Sequence, residues 1–565
     1  MPARPRLRKG QKTLQQSTDS GDELADELVD EYVSDYEVGQ DNVQPFGLDF
    51  HNPVFAISAV SVIVFVAFTL SFPELAKHWF GDLRPWLTTR FDWFFMATGN
   101  FFVLFCIALI VLPVGKVRIG GPDAEPMYSY VSWVSMLFAA GIGIGIMFYA
   151  VLEPMNHVLT PPLGLEGLTG DAQRELAMAA TVFHWAIHPW AIYGIVGLAL
   201  AFFAFNKGLP LIVRSAMYPL FGERVWGWPG HVIDVLAVFA TLFGLATSLG
   251  YGAEQSAGGL AYLFGISEGH MVKLTIIVVI TIMALVSVLR GLDGGIKVLS
   301  ESNMAMAAVL GLFVLLAGPT LDTLGAIVDN TLAYFRYMPA LSNWVGREDM
   351  YYMHDWTTFY WSWWIAFSPF VGMFIARISS GRTVREFLLV SILAPSFIFI
   401  VWMTVFGNAA MDQYFLQGYE GVVDTVRNFQ PELSLFLFLA EYPLATLTSG
   451  IGILLVLIFF VTSMDSGALV VDTMTAGGKI DAPIAQRVFW CVFLGLIGIA
   501  LMEGGGLSSL QALALATGFP FGIVILLMSV SLYKGLAAEV KLLEAQAEAE
   551  AEAEAGTEQA EGEKV

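Results

Sequence analysis

The chain has 565 residues, of which 56% are hydrophobic and only 14% charged, and its mean hydropathy is +0.66. A soluble domain is about 25% charged, so this chain is written for lipid. That balance excludes a disordered protein and a disulfide-stapled secreted domain, and the net charge of −22 excludes a nucleic-acid partner, because phosphate needs Lys and Arg.

Half of the charge sits in the ends. Residues 1–41 hold Arg4, Arg6, Arg8, Lys9 and Lys12 against ten acidic residues, a net of −5, and residues 534–565 hold three Lys against nine Glu, a net of −6. The expected organisation is an acidic N-terminal tail over 1–45, a membrane domain over 46–535 and an acidic, Ala/Glu-rich C-terminal tail over 536–565. The first apolar run begins only near Pro53, so the layout is not that of a signal peptide. Cys106 and Cys491 both lie in apolar runs and imply neither a disulfide framework nor a metal site.

A spanning helix needs about 20 apolar residues. About twelve spans follow in chain order: 53–73, 93–113, 131–151, 178–204, 231–265, 271–289, 303–321, 355–377, 385–407, 442–476, 484–502 and 507–533. The fifth and tenth exceed one perpendicular crossing and must tilt or run past the bilayer. Lys and Arg gather in the loops after the even-numbered spans, as Lys116 and Arg118, Lys207 and Arg214, Arg290 and Lys297, Arg382 and Arg385, and Lys479 and Arg487. That bias puts these loops and both termini on the cytoplasmic side of a cell membrane. The fold class expected is an all-α polytopic membrane protein embedded in the lipid bilayer.

Span 3 reads Gly141-Ile142-Gly143-Ile144-Gly145 at its middle. Alternate glycines cost about 1 kcal/mol each in a helix relative to Ala. Two readings stand: close helix packing through Gly141 and Gly145, four apart, or a helix unwound at mid-membrane whose freed carbonyls meet a cation. Span 8 carries Ser368-Pro369 at its middle, and proline removes a helical donor, so a second break is expected there. Spans 3 and 8 head two five-helix sets, 3–7 and 8–12, and interruptions at corresponding positions point to an inverted-repeat transporter with its site at the midplane.

Span 4 contains His184-Trp185 and His188-Pro189-Trp190, then Tyr193; span 8 contains Phe359-Tyr360-Trp361-Ser362-Trp363-Trp364 and Phe367. Aromatic residues usually form belts at the membrane interfaces, and Trp356 and Phe359 are read that way. Trp364 and Phe367, three apart beside the proline, and Trp190 and Tyr193, with the same spacing, are read as ring faces turned to a cavity, where they attract a quaternary ammonium group. The half-helix N-terminus after the break beside these rings offers partial positive charge to a substrate carboxylate. His184 and His188 are four apart, a metal-compatible spacing, but Pro189 adjoins and no third ligand is near in sequence, so no metal beyond a coupling Na⁺ is expected. Span 10 holds Thr462-Ser463 and Asp465. Adjacent hydroxyls either bond back to their helix or serve a hard cation such as Na⁺. Asp465 and Glu254 are ionisable residues in spans, with a structural pair as the alternative to a functional role.

These motifs together resemble the betaine/choline/carnitine transporter family. They are Gly141-Ile142-Gly143-Ile144-Gly145 through Glu153-Pro154, Phe183-His184-Trp185 through Tyr193, Phe359 through Ser368-Pro369-Phe370-Val371-Gly372-Met373-Phe374, Ala376-Arg377-Ile378-Ser379-Ser380-Gly381-Arg382, and Phe460-Val461-Thr462-Ser463-Met464-Asp465-Ser466. The likeness covers roughly 45–535. It implies twelve spans, a leucine-transporter-like inverted repeat over spans 3–12, a homotrimer and no cofactor. It implies that Trp185, Trp190, Tyr193, Trp363, Trp364 and Phe367, with Ala140, Gly141 and Ile142, meet a methylated substrate. Ala139 and Ile142, with Phe459, Thr462 and Ser463, would form a sodium site.

Three departures from the family pattern and two marks of coupling mode bear on function. Sodium-coupled betaine carriers of the family have tryptophan where this chain has Phe367. A second sodium site uses two threonines one turn apart, and here Thr241 fits the first while Leu245 fills the second. Osmosensing members carry a basic C-terminal helix, and this tail is acidic. Proton-coupled choline carriers have aspartate where this chain has Gly145, which favours a zwitterion and sodium. Arg and Lys are absent between Gly230 and Lys273, unlike in the sodium-independent carnitine exchangers. The expectation is a Na⁺-coupled importer of glycine betaine or a sulfonium analogue such as dimethylsulfoniopropionate, with proton-coupled choline uptake or carnitine-type exchange as the alternative.

Overall fold

The computed structural model describes residues 32–141, 143–165, 167–290 and 297–562. Among them eleven helices are long and apolar enough to cross a membrane. The third of the twelve expected spans, 131–151, is the one outside this count, because it is split into helices of 12 and 16 residues.

A two-residue antiparallel hairpin, β1 (Asn42–Val43) with β2 (Phe50–His51), precedes α1 (Val54–Ser71) and α2 (Pro73–Val111). The third span is α3 (Tyr130–Gly141) and α4 (Ile144–Leu159). Between them Gly143 is extended, with φ −137° and ψ −167°, so the helix stops where the alternate glycines lower the cost of leaving it. Ile142 lies outside the described residues, as do the side-chain surroundings of Ala139, Ala140 and Gly141, which close α3.

The fourth span is also two helices, α5 (Asp171–Trp185) and α6 (Ile187–Phe205). Ala186 leaves helical geometry at φ −94° and ψ −119°. Pro189 explains the position. It has no N–H for the Trp185 carbonyl, so the chain restarts and places Pro189 in the first turn of α6, where a missing donor costs nothing. Next come α7 (Trp228–Phe264), α8 (His270–Arg290), α9 (Lys297–Ala317) and α10 (Thr320–Ser342).

Span 8 corrects an expectation. An eight-residue π-helix, Tyr351–Thr358, leads into α11 (Phe359–Ile378), which runs unbroken through Pro369. Pro369 lacks only the bond to Ile365, whose carbonyl accepts from Ser368 Oγ at 2.7 Å. The irregular backbone lies at the start of this span and not at its middle. The chain continues as α12 (Val384–Phe415), the short α13 (Gly421–Arg427) and α14 (Ser434–Ala440), then α15 (Ala445–Thr475), α16 (Ile484–Glu503) and α17 (Leu507–Gly562). The Ala/Glu-rich tail through Gly562 is thus a direct extension of the last span.

The packing pairs the two five-helix sets. α7 lies on α15, α8 on α16, and α6 on α11 as α4 lies on α12. Each pair maps onto itself or its mate when spans 3–7 are exchanged for 8–12.

At the end of the bundle that carries the basic loops, residues 32–51 lie across the helix ends. Tyr36 stacks on Trp226 at 4.1 Å and 5°, Trp226 Nε1 donates to Ser34 Oγ at 3.0 Å, and Asn42 Nδ2 donates to the Ala476 carbonyl at 3.0 Å. Lys479 Nζ meets Asp49 at 2.5 Å. Burial pushes the Asp49 carboxyl up, but the bonds from Lys479 and Asn42 outweigh it and hold it below the usual carboxylate range. Glu539 ties the base of the terminal extension to Lys207 at 2.7 Å.

Candidate functional site: an aromatic cage on a buried carboxylate

The break at Ala186 frees the last carbonyls of α5 and turns Trp185 inward. The His184 carbonyl accepts from Trp364 Nε1 at 3.0 Å, joining α5 to α11. Trp185 and Trp364 then stand edge to face, with centroids 5.1 Å apart at 71°. Tyr193 stands at 81° to Trp364 at 6.3 Å, and Trp190 meets Tyr193 at 5.6 Å and 84°. Walls near right angles make a box of ring faces, the arrangement that holds an onium ion. Trp363 stacks on Trp364 at 5.1 Å and 9° and donates Nε1 to the Gly244 carbonyl at 3.3 Å. Phe367 is half-buried, and its ring contact is Phe370.

The structure adds rings that sequence reasoning passed over. Tyr360 contacts Trp185 at 5.3 Å, Phe399 of α12 stacks on Trp185 at 5.6 Å and 19°, and Tyr149 contacts Tyr360 at 5.4 Å. Trp356 and Phe359, expected in an interfacial belt, are 7% and 1% exposed and roof the cage beside Tyr149 and Trp363. The physical reason is ring packing: Trp356 meets Tyr149 at 5.9 Å and Phe359 stacks on Trp363 at 5.5 Å, so both are taken into the bundle.

One carboxylate holds this set together. Glu153 of α4 is fully buried. Its Oε2 accepts from Trp185 Nε1 at 2.8 Å and from the Tyr360 hydroxyl at 2.6 Å. Its Oε1 pairs with His184 Nδ1 at 2.6 Å and faces His157 Nε2 at 3.4 Å, and His184 Nε2 meets Thr357 Oγ1 at 2.9 Å. Two cage walls are thus oriented through their polar tips, while their faces pack on other rings, Trp185 on Phe399 and Tyr360 on Trp364 at 5.7 Å and 19°. Sequence reasoning quoted Glu153 only as the end of a motif. The available signal was an ionisable residue inside a span, with Tyr149 and His157 one turn away on the same face.

Glu153, His157 and His184 offer ligand atoms within 4.8 Å of one another. Two ligands of one tetrahedral zinc lie about 3.3 Å apart. The Oε1–Nδ1 separation of 2.6 Å is that of a hydrogen bond, and Oε2 is already held by two donors. His188, the other half of the i, i+4 pair, turns away to Asn100 at 3.2 Å. The cluster has the geometry of a hydrogen-bond hub.

Gly145 lies against the cage from below. A Cβ there would stand 2.4 Å from the tip of the Trp185 indole. Gly145→Ala should displace that ring and weaken substrate affinity about tenfold, an overpacking cost of about 1.4 kcal/mol, read as the half-saturation of uptake.

Of the expected sodium ligands, Thr462 Oγ1 donates back to the carbonyls of Ile458 and Phe459 at 3.1 and 3.0 Å, which leaves its oxygen lone pairs free. Ser463 is half-buried and Phe459 buried. Thr241 donates to the Ala237 carbonyl at 2.8 Å. Leu245 fills the space beside Gly467, where a Cβ would meet its Cδ1 at 2.2 Å. Asp465 is buried, and Glu254 pairs with Lys273.

Two helices face each other with several half-buried residues between them. Phe367, Phe370, Phe374 and Arg377 share a face of α11, and Thr462, Ser466 and Thr473 share a face of α15. Arg377 Nη2 donates to Thr473 Oγ1 at 3.2 Å, so these faces oppose each other. Phe367, Phe374, Arg377, Thr462 and Ser466 are half-buried, whereas Tyr360 in the cage and Trp361 beyond it are fully buried. The half-buried residues of these faces thus lie on the basic-loop side of the cage.

The profile of the betaine/carnitine/choline family of transporters matches residues 53–541. The chain belongs to this family. It is 54% identical over 526 residues to the glycine betaine/proline/choline transporter VP1723 of Vibrio parahaemolyticus, covering 90% of this chain and 94% of that one. A second transporter of that organism, named for glycine betaine, proline, choline and ectoine, is 50% identical over 517 residues, covering 89% and 90%. Its glycine betaine transporter 1 is 49% identical over 515 residues, covering 89% and 97%. The protein is therefore a multi-pass membrane transporter and not an enzyme, and the aromatic cage is its candidate substrate site.

Proposed function

We propose that this transporter imports a methylated zwitterion of the glycine betaine type, driven by Na⁺. The observation that carries the reading is the cage of Trp185, Trp190, Tyr193 and Trp364, whose one buried carboxylate is spent on its walls. A positive substrate group would be met by ring faces, and the substrate's carboxylate by the N-terminus of α4 that opens after Gly143. The relatives' names include both glycine betaine and choline. Gly145 favours the zwitterion, because the Trp185 indole occupies the space an aspartate counter-charge would need. Thr462 and Ser463 on α15 would supply the hydroxyl oxygens a sodium ion takes, and Leu245 argues for one such site over two.

The basic loops and both termini would lie in the cytoplasm, with the chain in the inner membrane of a bacterium as a homotrimer. Uptake of labelled glycine betaine into proteoliposomes should fall to background when external Na⁺ is replaced by K⁺ at constant pH. Equal uptake in the two salts would contradict sodium coupling, and uptake driven by a proton gradient alone would favour the choline-type alternative.

A further inference from the structure

At the basic-loop end, a cavity of about 560 Å³ is lined by Val38 of the N-terminal strap, Phe205, Leu211, Arg377, Lys479 and Asp481. Its two cations differ. Lys479 is neutralised by Asp49. Arg377 has no carboxylate within 4 Å among the described residues; its guanidinium contacts are the Thr473 hydroxyl and, at 3.9 Å, the Met373 sulfur. Neighbouring Arg487 instead faces Asp472 at 3.9 Å. A guanidinium has five donors in a planar fork that matches a carboxylate in two parallel bonds. Nη2 is engaged, while Nε and Nη1 have no protein acceptor among the described residues.

A half-buried cation without a counter-charge is costly, and Arg377 stands ten residues below Phe367 on the same face of α11. We propose that Arg377 forms a second substrate subsite, at the cytoplasmic mouth, which binds the carboxylate of the zwitterion while Phe205 and Leu211 receive its methylated end. The inference rests on the reading of the chain as a zwitterion importer. The cage recognises the cationic end through ring faces; this subsite recognises the anionic end through a fork, so the substrate leaves the cage toward a site of opposite chemistry. Thr473 orients the fork, and Lys479 stays on Asp49 and leaves Arg377 unmatched.

The test compares the two sides of the membrane. Half-saturation for glycine betaine is measured in inside-out and right-side-out vesicles for wild type, Arg377→Gln and Arg377→Lys, with choline, which lacks a carboxylate, as a competitor. Arg377→Gln should raise the cytoplasmic-side value for glycine betaine about tenfold, leave the external value within twofold and leave the cytoplasmic-side inhibition by choline within twofold. Arg377→Lys should recover part of the loss. The external value in the same preparations reports on folding. Equal shifts on both sides, or equal shifts for glycine betaine and choline, would overturn the subsite. So would competition by inorganic phosphate on the cytoplasmic side of wild type as strong as that by glycine betaine. Absence of wild-type glycine betaine flux would overturn the functional reading as well, whereas intact wild-type flux with an unchanged Arg377→Gln variant would overturn the subsite alone.

Discussion

Glu153→Ala should lower glycine betaine uptake at least a hundredfold, and Glu153→Gln should lower it about tenfold. The carboxylate accepts from Trp185 Nε1 and the Tyr360 hydroxyl and pairs with His184 Nδ1, all within 2.8 Å. Alanine leaves these buried groups unpartnered, at about 1–3 kcal/mol each, and opens a hole under the cage. Glutamine fills the volume and still accepts through its one carbonyl oxygen, but its NH₂ faces one of the donors that Glu153 satisfied. Uptake normalised to protein in the membrane measures the effect. A merely structural role would lower the amount of folded protein for both variants and leave half-saturation unchanged in what remains. The positioning role predicts a raised half-saturation in the surviving Glu153→Gln protein, because Trp185 and Tyr360 lose their fixed angles.

Trp364→Ala should weaken substrate affinity about tenfold or more, equivalent to at least about 1.4 kcal/mol. Trp364→Phe should lose about threefold, since it keeps a ring face and gives up the bond from Nε1 to the His184 carbonyl. The proper control is Trp79, 54% exposed on α2, whose substitution by alanine should leave affinity within twofold. Trp356, which the sequence places in a belt, is no such control, because it roofs the cage at 5.9 Å from Tyr149. Equal losses at Trp364 and Trp79 would reduce the tryptophans to an interfacial belt. Binding to purified protein in Na⁺, read by tryptophan fluorescence, measures all three.

How far the sequence carried depended on the kind of signal. Spans were legible because twenty apolar residues and a Lys/Arg bias survive any detail of packing. The break in span 3 was legible as one of two readings, because three glycines at alternate positions weaken a helix whether or not two of them also pack closely. Proline was ambiguous. Pro369 is absorbed into α11 with one missing bond, whereas Pro189 restarts a helix, and only the surroundings decide which. The members of the cage on spans 4 and 8 followed from i, i+3 spacing and from family resemblance. Phe399 and Tyr149 did not, because their contacts with Trp185 and Tyr360 join helices far apart in sequence. Glu153 was the costliest omission. A charge in an apolar run is a signal by itself, but its three partners lie on two other helices and no spacing rule reaches them. The unmatched charge of Arg377 was invisible for the same reason, since a missing partner is a property of three dimensions.

The central claim is that sodium prepares an aromatic cage for a methylated zwitterion, and direct binding tests it without the rest of the transport cycle. Glycine betaine is titrated into the purified protein in Na⁺ and again in K⁺ at equal ionic strength and pH, with intrinsic tryptophan fluorescence as the readout. The expected result is a saturable change in Na⁺, an affinity at least tenfold weaker in K⁺, and loss of the signal in Trp364→Ala. Equal affinity in the two salts, or an unaltered curve in Trp364→Ala, would contradict it.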